Sequence, residues 1–146
     1  MPRRLHLVLW GVTAGQLLAH NAERCRMIIK SVAPDAEVID WSDMFDPYHN
    51  AVDKYYLVGS TLEKSWEGLD RSVIVANWNH GKAKESVKSF ADRGQRQVLA
   101  AYYDTDDVNG ELDGWFQAAA GVPGVQGFIY TTWRNATRTW RSSPRT

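Results

Sequence analysis

SVIVANWNHGKAKESVKSFADRGQRQVLAAYYD, residues Ser72 to Asp104, decides the fold. It opens and closes on short apolar runs, SVIVANW from Ser72 and QVLAAYYD from Gln97. Their continuous apolar character fits strands covered on both faces, as in a parallel sheet. Between them, KAKESVKSFADRG predicts a helix that turns Val87, Phe90 and Ala91 inward and ends at Gly94, the residue type that tolerates a left-handed cap. Strand, helix and strand make a βαβ unit, whose crossover is right-handed.

The alternation continues outward in both directions. LHLVLW from Leu5, AEVIDW from Ala36 and GFIYTTW from Gly127 read as further strands. AGQLLAHNAERCRMIIKSVAPDA, from Ala14, sets Leu17, Leu18, Cys25, Ile28, Ile29 and Val32 at helical spacing and is closed by Pro34, so Cys25 is expected to be a buried helix residue. GELDGWFQAAAG, from Gly110, predicts a helix that buries Leu112, Trp115 and Phe116 and ends at Gly121. DPYHNAVDKYYLVGSTLEKSWEGL, from Asp46, is irregular and long for a connection, which marks it as a candidate functional loop. The 146 residues suit one unit with a single core, with an irregular tail over residues 136–146. Two α/β architectures fit: a small open, doubly wound sheet of flavodoxin type, or part of a (β/α)8 barrel. Both place ligands at the carboxyl ends of the strands.

Composition narrows the partners. Lys+Arg and Asp+Glu are both 17, so no basic field gathers nucleic acid or an anionic membrane. The single cysteine, Cys25, has no thiol partner and gives no sign of an oxidising compartment. The opening MPRRLHLVLWGVTAG imitates a secretory signal, but His6 interrupts it and no small-residue cleavage site follows, so it reads as a first strand and its turn. No apolar run approaches the roughly twenty residues of a membrane span. The expected chain is soluble, with no cofactor and no resident metal.

The strand ends share a composition: Trp41 then Asp43; Asn77, Trp78 and His80; Tyr102, Tyr103 and Asp104; Thr132, Trp133 and Asn135. Alternation along a strand puts Tyr102 and Asp104 on one side and Tyr103 on the other, and pairs Trp41 with Asp43. Aromatic faces interspersed with carboxylates and amides suit a sugar ring, whose C–H faces lie on indoles while its hydroxyls find acceptors. The competing reading is that these tryptophans plug the top of a core.

In that order, VIDWSDMF, VIVANW, VLAAYYD and GFIYTTW resemble the last four strands of the family 20 glycoside hydrolases, the β-N-acetylhexosaminidase type. The matching positions are Trp41 with Asp43, Trp78, Tyr102 with Asp104, and Trp133. The resemblance implies that Tyr102 holds the substrate's N-acetyl group, Asp104 binds ring hydroxyls and the three tryptophans wall the pocket. It also implies half of a (β/α)8 barrel, since a complete barrel runs to about 250 residues. The chain then represents a C-terminal portion from a truncated or split gene.

Two departures from the family pattern bear on activity. Family members carry an Asp-Glu pair at the end of strand four, the Glu being the general acid; here LHLVLW runs into GVTAG with no carboxylate. A Glu that commonly follows the last Trp by two residues is replaced by Asn135. The expected isolated chain is inactive but retains carbohydrate-binding residues. A different class of function, a non-catalytic carbohydrate-binding or assembly module, fits the same residues, with self-association or pairing with an N-terminal half-barrel covering its open sheet edges.

Other motifs read more plainly. TDDVNGELDGWF imitates a calcium loop, but the register puts Phe116 where the bidentate Glu belongs, leaving a polar loop with favourable charge at a helix start. Asp43, Asp46 and His49 lack a paired-His motif and read as a turn at Pro47 with solvated acids. His20 is expected to be solvated, and KAKESVK to be an exposed face with Glu-Lys pairing. No phosphate-binding loop or nucleophile elbow is present.

Overall fold

The computed structural model describes residues 11–102 and 104–133. The first strand expected at Leu5, Tyr103, Asn135 and the tail at 136–146 lie outside the described residues. Within them, helix α1 (Ala14–Val32) leads to strand β1 (Ile39–Trp41), followed by β2 (Ile74–Asn77), α2 (Ala83–Asp92), β3 (Arg96–Tyr102), α3 (Val108–Ala119) and β4 (Val125–Thr131). The four strands form one sheet in the order β1-β2-β3-β4, every pair parallel. The fold is α/β, and the described sheet has no reversal of strand order, the feature on which a flavodoxin-like ligand site depends.

Both strand-connecting helices pack on one face of the sheet. Ala83 and Val87 of α2 meet Leu99 and Ala101 of β3 together with Trp115 and Ala118 of α3. A second cluster joins Val75, Phe90, Phe45, Leu69 and Val73 to Leu18 and Ala22 of α1. β2 is buried along its whole length, as expected of a strand covered on both sides. β1 and β4 are not: Ile39, Trp41, Ile129 and Tyr130 are exposed.

A bulge in β4 decides which side chains reach the opposite face. Gln97 pairs with Val125, whereas Val98 pairs with Gly127, so one extra residue enters β4. Because strand side chains alternate, this slip flips the remainder of β4. Val125 and Phe128 both face the helices, and Thr131 falls beside Tyr102 in register. Trp133, two residues on, shares that side by parity.

The helix starts follow local chemistry. Thr13 and Gln16 form a reciprocal capping box on α1, with Gln16 N donating to Thr13 Oγ1 at 3.1 Å and Thr13 N to Gln16 Oε1 at 2.9 Å. Asp107 caps α3 by accepting from Gly110 N at 2.9 Å. Gly94 and Gly121 follow α2 and α3 with φ of +77° and +72°, the left-handed conformation that lets the chain turn away.

Three burial expectations need correction. Cys25 is exposed, as are Ile28 and Val32. Of that stripe Leu18 packs on the core, beside Ala22, and α1 also docks by close backbone approach: a Cβ on Gly68 would lie 2.0 Å from Ala19 O, and one on Gly15 2.1 Å from Glu63 O. Phe116 is also exposed, because Trp115 takes the inward position on α3 and Phe116 stacks on Phe128 at the margin, with ring centroids 4.8 Å apart. Asp46 is not a solvated acid. It is fully buried and accepts from Tyr48 N (2.8 Å), Asn79 Nδ2 (2.9 Å) and Ser86 Oγ (2.6 Å). No described helix is long and apolar enough to cross a membrane.

Candidate functional site

β1, β2, β3 and β4 bring their carboxyl ends together, and the aromatic residues that follow form a rim on the face opposite the helices. Trp133 stands in the middle. Its ring centroid lies 6.2 Å from that of Trp41 and 6.5 Å from that of Trp78, with interplanar angles of 54° and 37°. The three indoles therefore make an angled wall. Trp41, Trp78 and Trp133 are 40%, 39% and 65% exposed, whereas Trp115 is 0% exposed. Trp115 is the aromatic plug of the core; the rim tryptophans are not, which argues against reading them as core residues. Apolar surface left in water costs roughly 25 cal/mol per Å², so three adjacent exposed indoles make this edge a candidate docking surface.

Each rim residue is held by a named neighbour. Trp78 donates its Nε1 to Asp43 Oδ1 at 3.4 Å, and its backbone N–H to the hydroxyl of the buried Ser42 at 3.3 Å. The structure thus couples Asp43 to Trp78 across the sheet as well as following Trp41 in sequence. Asp104 accepts from Thr132 Oγ1 at 2.6 Å and from the backbone N–H of Trp133 at 2.5 Å. Both its oxygens hold the end of β4, so Asp104 fixes the central indole.

Beneath the rim is a cleft of about 570 Å³, lined by His49, Trp78, Asn79, His80, Tyr102 and Trp133 among others. That volume is within the usual range of roughly 300–1,000 Å³ for small-ligand sites. Of the six expected site residues, Trp78, Tyr102 and Trp133 line the cleft. Trp41, Asp43 and Asp104 adjoin it through the contacts just described. A second cavity of about 520 Å³ lies outside α2, where Lys88 is paired with Asp92 at 2.7 Å, and it contains no tryptophan.

Several residues near the strand ends depart from the sequence expectation. Glu111, in the sequence one of the acids of a polar loop, also lines the cleft and accepts the backbone N–H of Tyr102. Its signal was position: the first turn of a helix after a βα loop faces back toward the strand's carboxyl end. His49, weighed only as a metal ligand, packs edge-on against Trp78 at 4.9 Å. His80 packs against Trp115 at 5.6 Å, in space that a Cβ on Gly114 would occupy at 2.6 Å from His80 Nε2. Asn77, grouped with the strand-end residues, turns to the helix face instead. It is buried, and its Nδ2 donates to Ser86 Oγ at 2.9 Å and to Gln97 Oε1 at 3.1 Å.

Asp46 links that buried network to the cleft, because Asn79 binds its carboxylate from the cleft side. Buried polar groups need such partners, and a satisfied network rigidifies what it touches. Among the described residues, no group of three His, Cys, Asp or Glu side chains is placed to hold a metal ion. The site offers stacking surfaces, imidazoles, amides and carboxylates, a set suited to a neutral polyhydroxylated ring. No family model, curated protein or solved structure matches this chain.

Proposed function

We propose that this chain is the C-terminal half of a (β/α)8 barrel of the family 20 glycoside hydrolase type, and that its rim binds N-acetylhexosamine-type or related glycosides. The observation that carries the reading is the convergence of Trp41, Trp78 and Trp133 above one cleft. Support comes from the sequential parallel sheet, because barrels add strands in chain order with helices on the outside and place ligands at the carboxyl ends. In this reading the indoles stack on the sugar's C–H faces and Tyr102 approaches its acetamido group. Asp104 sets the central wall and belongs to the hydroxyl-binding side.

The role is binding without efficient turnover. GVTAG, at the place of the family's acid pair, offers no carboxylate, and Thr13 within it serves to cap α1. General acid–base terms contribute typically 10²- to 10⁴-fold, so their loss removes most hydrolysis. The test is a fluorescence titration of the chain with N-acetylglucosamine. Saturable quenching is expected, and Trp133→Ala should weaken it about tenfold, the equivalent of losing about 1.4 kcal/mol of stacking and burial. A flat titration of the wild-type chain overturns the reading.

The exposure of Ile39, Ile129 and Tyr130 on the two outer strands favours a second role, pairing with another copy or with an N-terminal half-barrel. Sedimentation at rising concentration tests it, and a monomer throughout excludes self-association.

A further inference from the structure

The rim cleft carries a negative charge that stacking and neutral hydrogen bonding leave unused. Glu111 lines it together with Trp78, Tyr102 and Trp133, and Oε1 of its carboxylate accepts the backbone N–H of Tyr102. The first turn of α3 holds Glu111 in place. Asp107 caps that turn by accepting from Gly110 N at 2.9 Å, and Glu111 donates its own backbone N–H to Asp107 O at 3.2 Å. Among the described residues, Oε2 of Glu111 has no hydrogen-bond partner, which leaves one carboxylate oxygen for a ligand.

The surroundings of that carboxylate favour a cation. No Lys or Arg is among the described residues that line the cleft, and Glu111 makes no ion pair with any described residue. The Asp43 carboxylate, which adjoins the cleft through Trp78, likewise has only neutral partners among the described residues: Trp78 Nε1 and Asn50 Nδ2, each at 3.4 Å. The indoles of Trp78 and Trp133 in the cleft wall add to the same bias, because the face of an indole attracts a cation. Carboxylates without a counter-cation and aromatic faces together offset what an ammonium group loses on leaving water.

We infer that Glu111 makes this cleft selective for a hexosamine whose 2-amino group is free and protonated, over the same sugar N-acetylated; the inference rests on the carbohydrate reading above, which sets the 2-substituent beside Tyr102. The bond from Tyr102 N ties the Glu111 carboxylate to that same residue. An acetamido N–H can also donate to Glu111, but as a neutral donor. An ammonium group donates with its own charge, and such bonds are roughly twice as strong.

The test compares methyl β-glucosaminide with methyl β-N-acetylglucosaminide by calorimetric titration of the full chain and of Glu111→Gln, at about pH 6, where an amine of this kind carries its proton. Gln keeps an oxygen for the Tyr102 N–H and removes the charge. The wild-type chain is expected to bind the ammonium sugar about tenfold more tightly than the acetamido sugar, and in Glu111→Gln the two affinities should converge. In the wild-type chain the ammonium sugar should also move the NMR signal of the Glu111 carboxyl carbon further than the acetamido sugar does, a reading that needs no variant. Acetamido binding with no ammonium advantage, or with one that survives Glu111→Gln, overturns this inference alone. Binding of the ammonium sugar only, lost in Glu111→Gln, upholds the inference and overturns the N-acetyl part of the carbohydrate reading. Failure of the wild-type chain to bind either sugar overturns the carbohydrate reading and this inference with it.

Discussion

Replacing Asp46 by Asn changes one oxygen to a nitrogen at a site where three donors converge and no solvent reaches. If the new amide keeps its oxygen toward Ser86 Oγ and Asn79 Nδ2, its NH2 confronts the Tyr48 backbone N–H; if it flips, it confronts the other two. In either orientation at least one buried donor loses its acceptor, and the remaining bonds fall from charge-assisted to neutral. A hydrogen bond to a charged group is worth about 1.5–3 kcal/mol against about 0.5–1.5 kcal/mol for a neutral one, and an orphaned buried group costs about 1–3 kcal/mol. The expected loss is therefore about 3 kcal/mol. At this size each kcal/mol moves the melting temperature by about 2–4 °C, giving a fall of roughly 6–12 °C. Urea unfolding at pH 7, followed by circular dichroism, should show a lower midpoint with the same slope. The Asn79 side-chain amide and Trp78 indole NMR signals should shift as well, because Asn79 carries the network to the cleft. A stability change below about 0.5 kcal/mol, with those signals in place, would refute the role assigned to Asp46.

Other outcomes follow from specific contacts. Gly68→Ala puts a Cβ 2.0 Å from the backbone oxygen of Ala19, so α1 must part from the turn beneath it; a loss of about 1–3 kcal/mol and faster amide exchange in α1 are expected by urea unfolding and hydrogen exchange. Asp70 is held below the usual carboxylate range, first by the Ser72 hydroxyl, then by the Ser72 backbone N–H, with a smaller pull from Arg26. Its stabilising contribution is present above the unfolded value of about 4 and is lost as pH falls through the lower folded value, so Asp70→Asn should flatten the acid limb of the stability profile. Asp40 has the opposite sign: burial raises it above the ordinary value, against a hydrogen bond from Trp41 N, and the charge of Asp43 adds to the rise. It opposes folding at neutral pH and is relieved as pH falls through its raised folded value, so Asp40→Asn should raise the unfolding midpoint at pH 7. Assayed on a chromogenic N-acetylglucosaminide, the purified chain should show no turnover near that of an intact enzyme; comparable turnover would refute the missing-acid explanation.

The legible parts of the molecule are those where periodicity and burial coincide. Val87 and Phe90 recur at helical spacing and are buried, and Val75 lies in an apolar run buried throughout, so β2, α2 and β3 emerge from residue type alone. The rim is legible because Trp41 ends a strand, and Trp78 and Trp133 closely follow one, in a parallel sheet, which brings strand ends to one edge. What stayed hidden depends on partners distant in sequence. Asp46 reads as a turn residue because its partner Ser86 lies 40 positions away. Phe116 and Trp115 are neighbours of similar hydrophobicity, and which face α3 turns to the sheet, invisible in composition, decides which one is buried. α1 differs for a related reason: close backbone approach at Gly15 and Ala19 sets the docked side, which keeps Leu18 of the apolar stripe and leaves Cys25, Ile28 and Val32 outside.

The strand order has a kinetic corollary. Each pairing joins consecutive strands, as in Ile39 with Ile74, Ile74 with Arg96 and Leu99 with Phe128, spans of about 20 to 35 residues, so each step closes only a modest loop. Assembly can advance like a zipper, each newly synthesised strand finding its neighbour already present, although every pairing is parallel and must wait for its crossover to close. A chain wired in this way should reach its native arrangement progressively from its amino-terminal side as it leaves the ribosome.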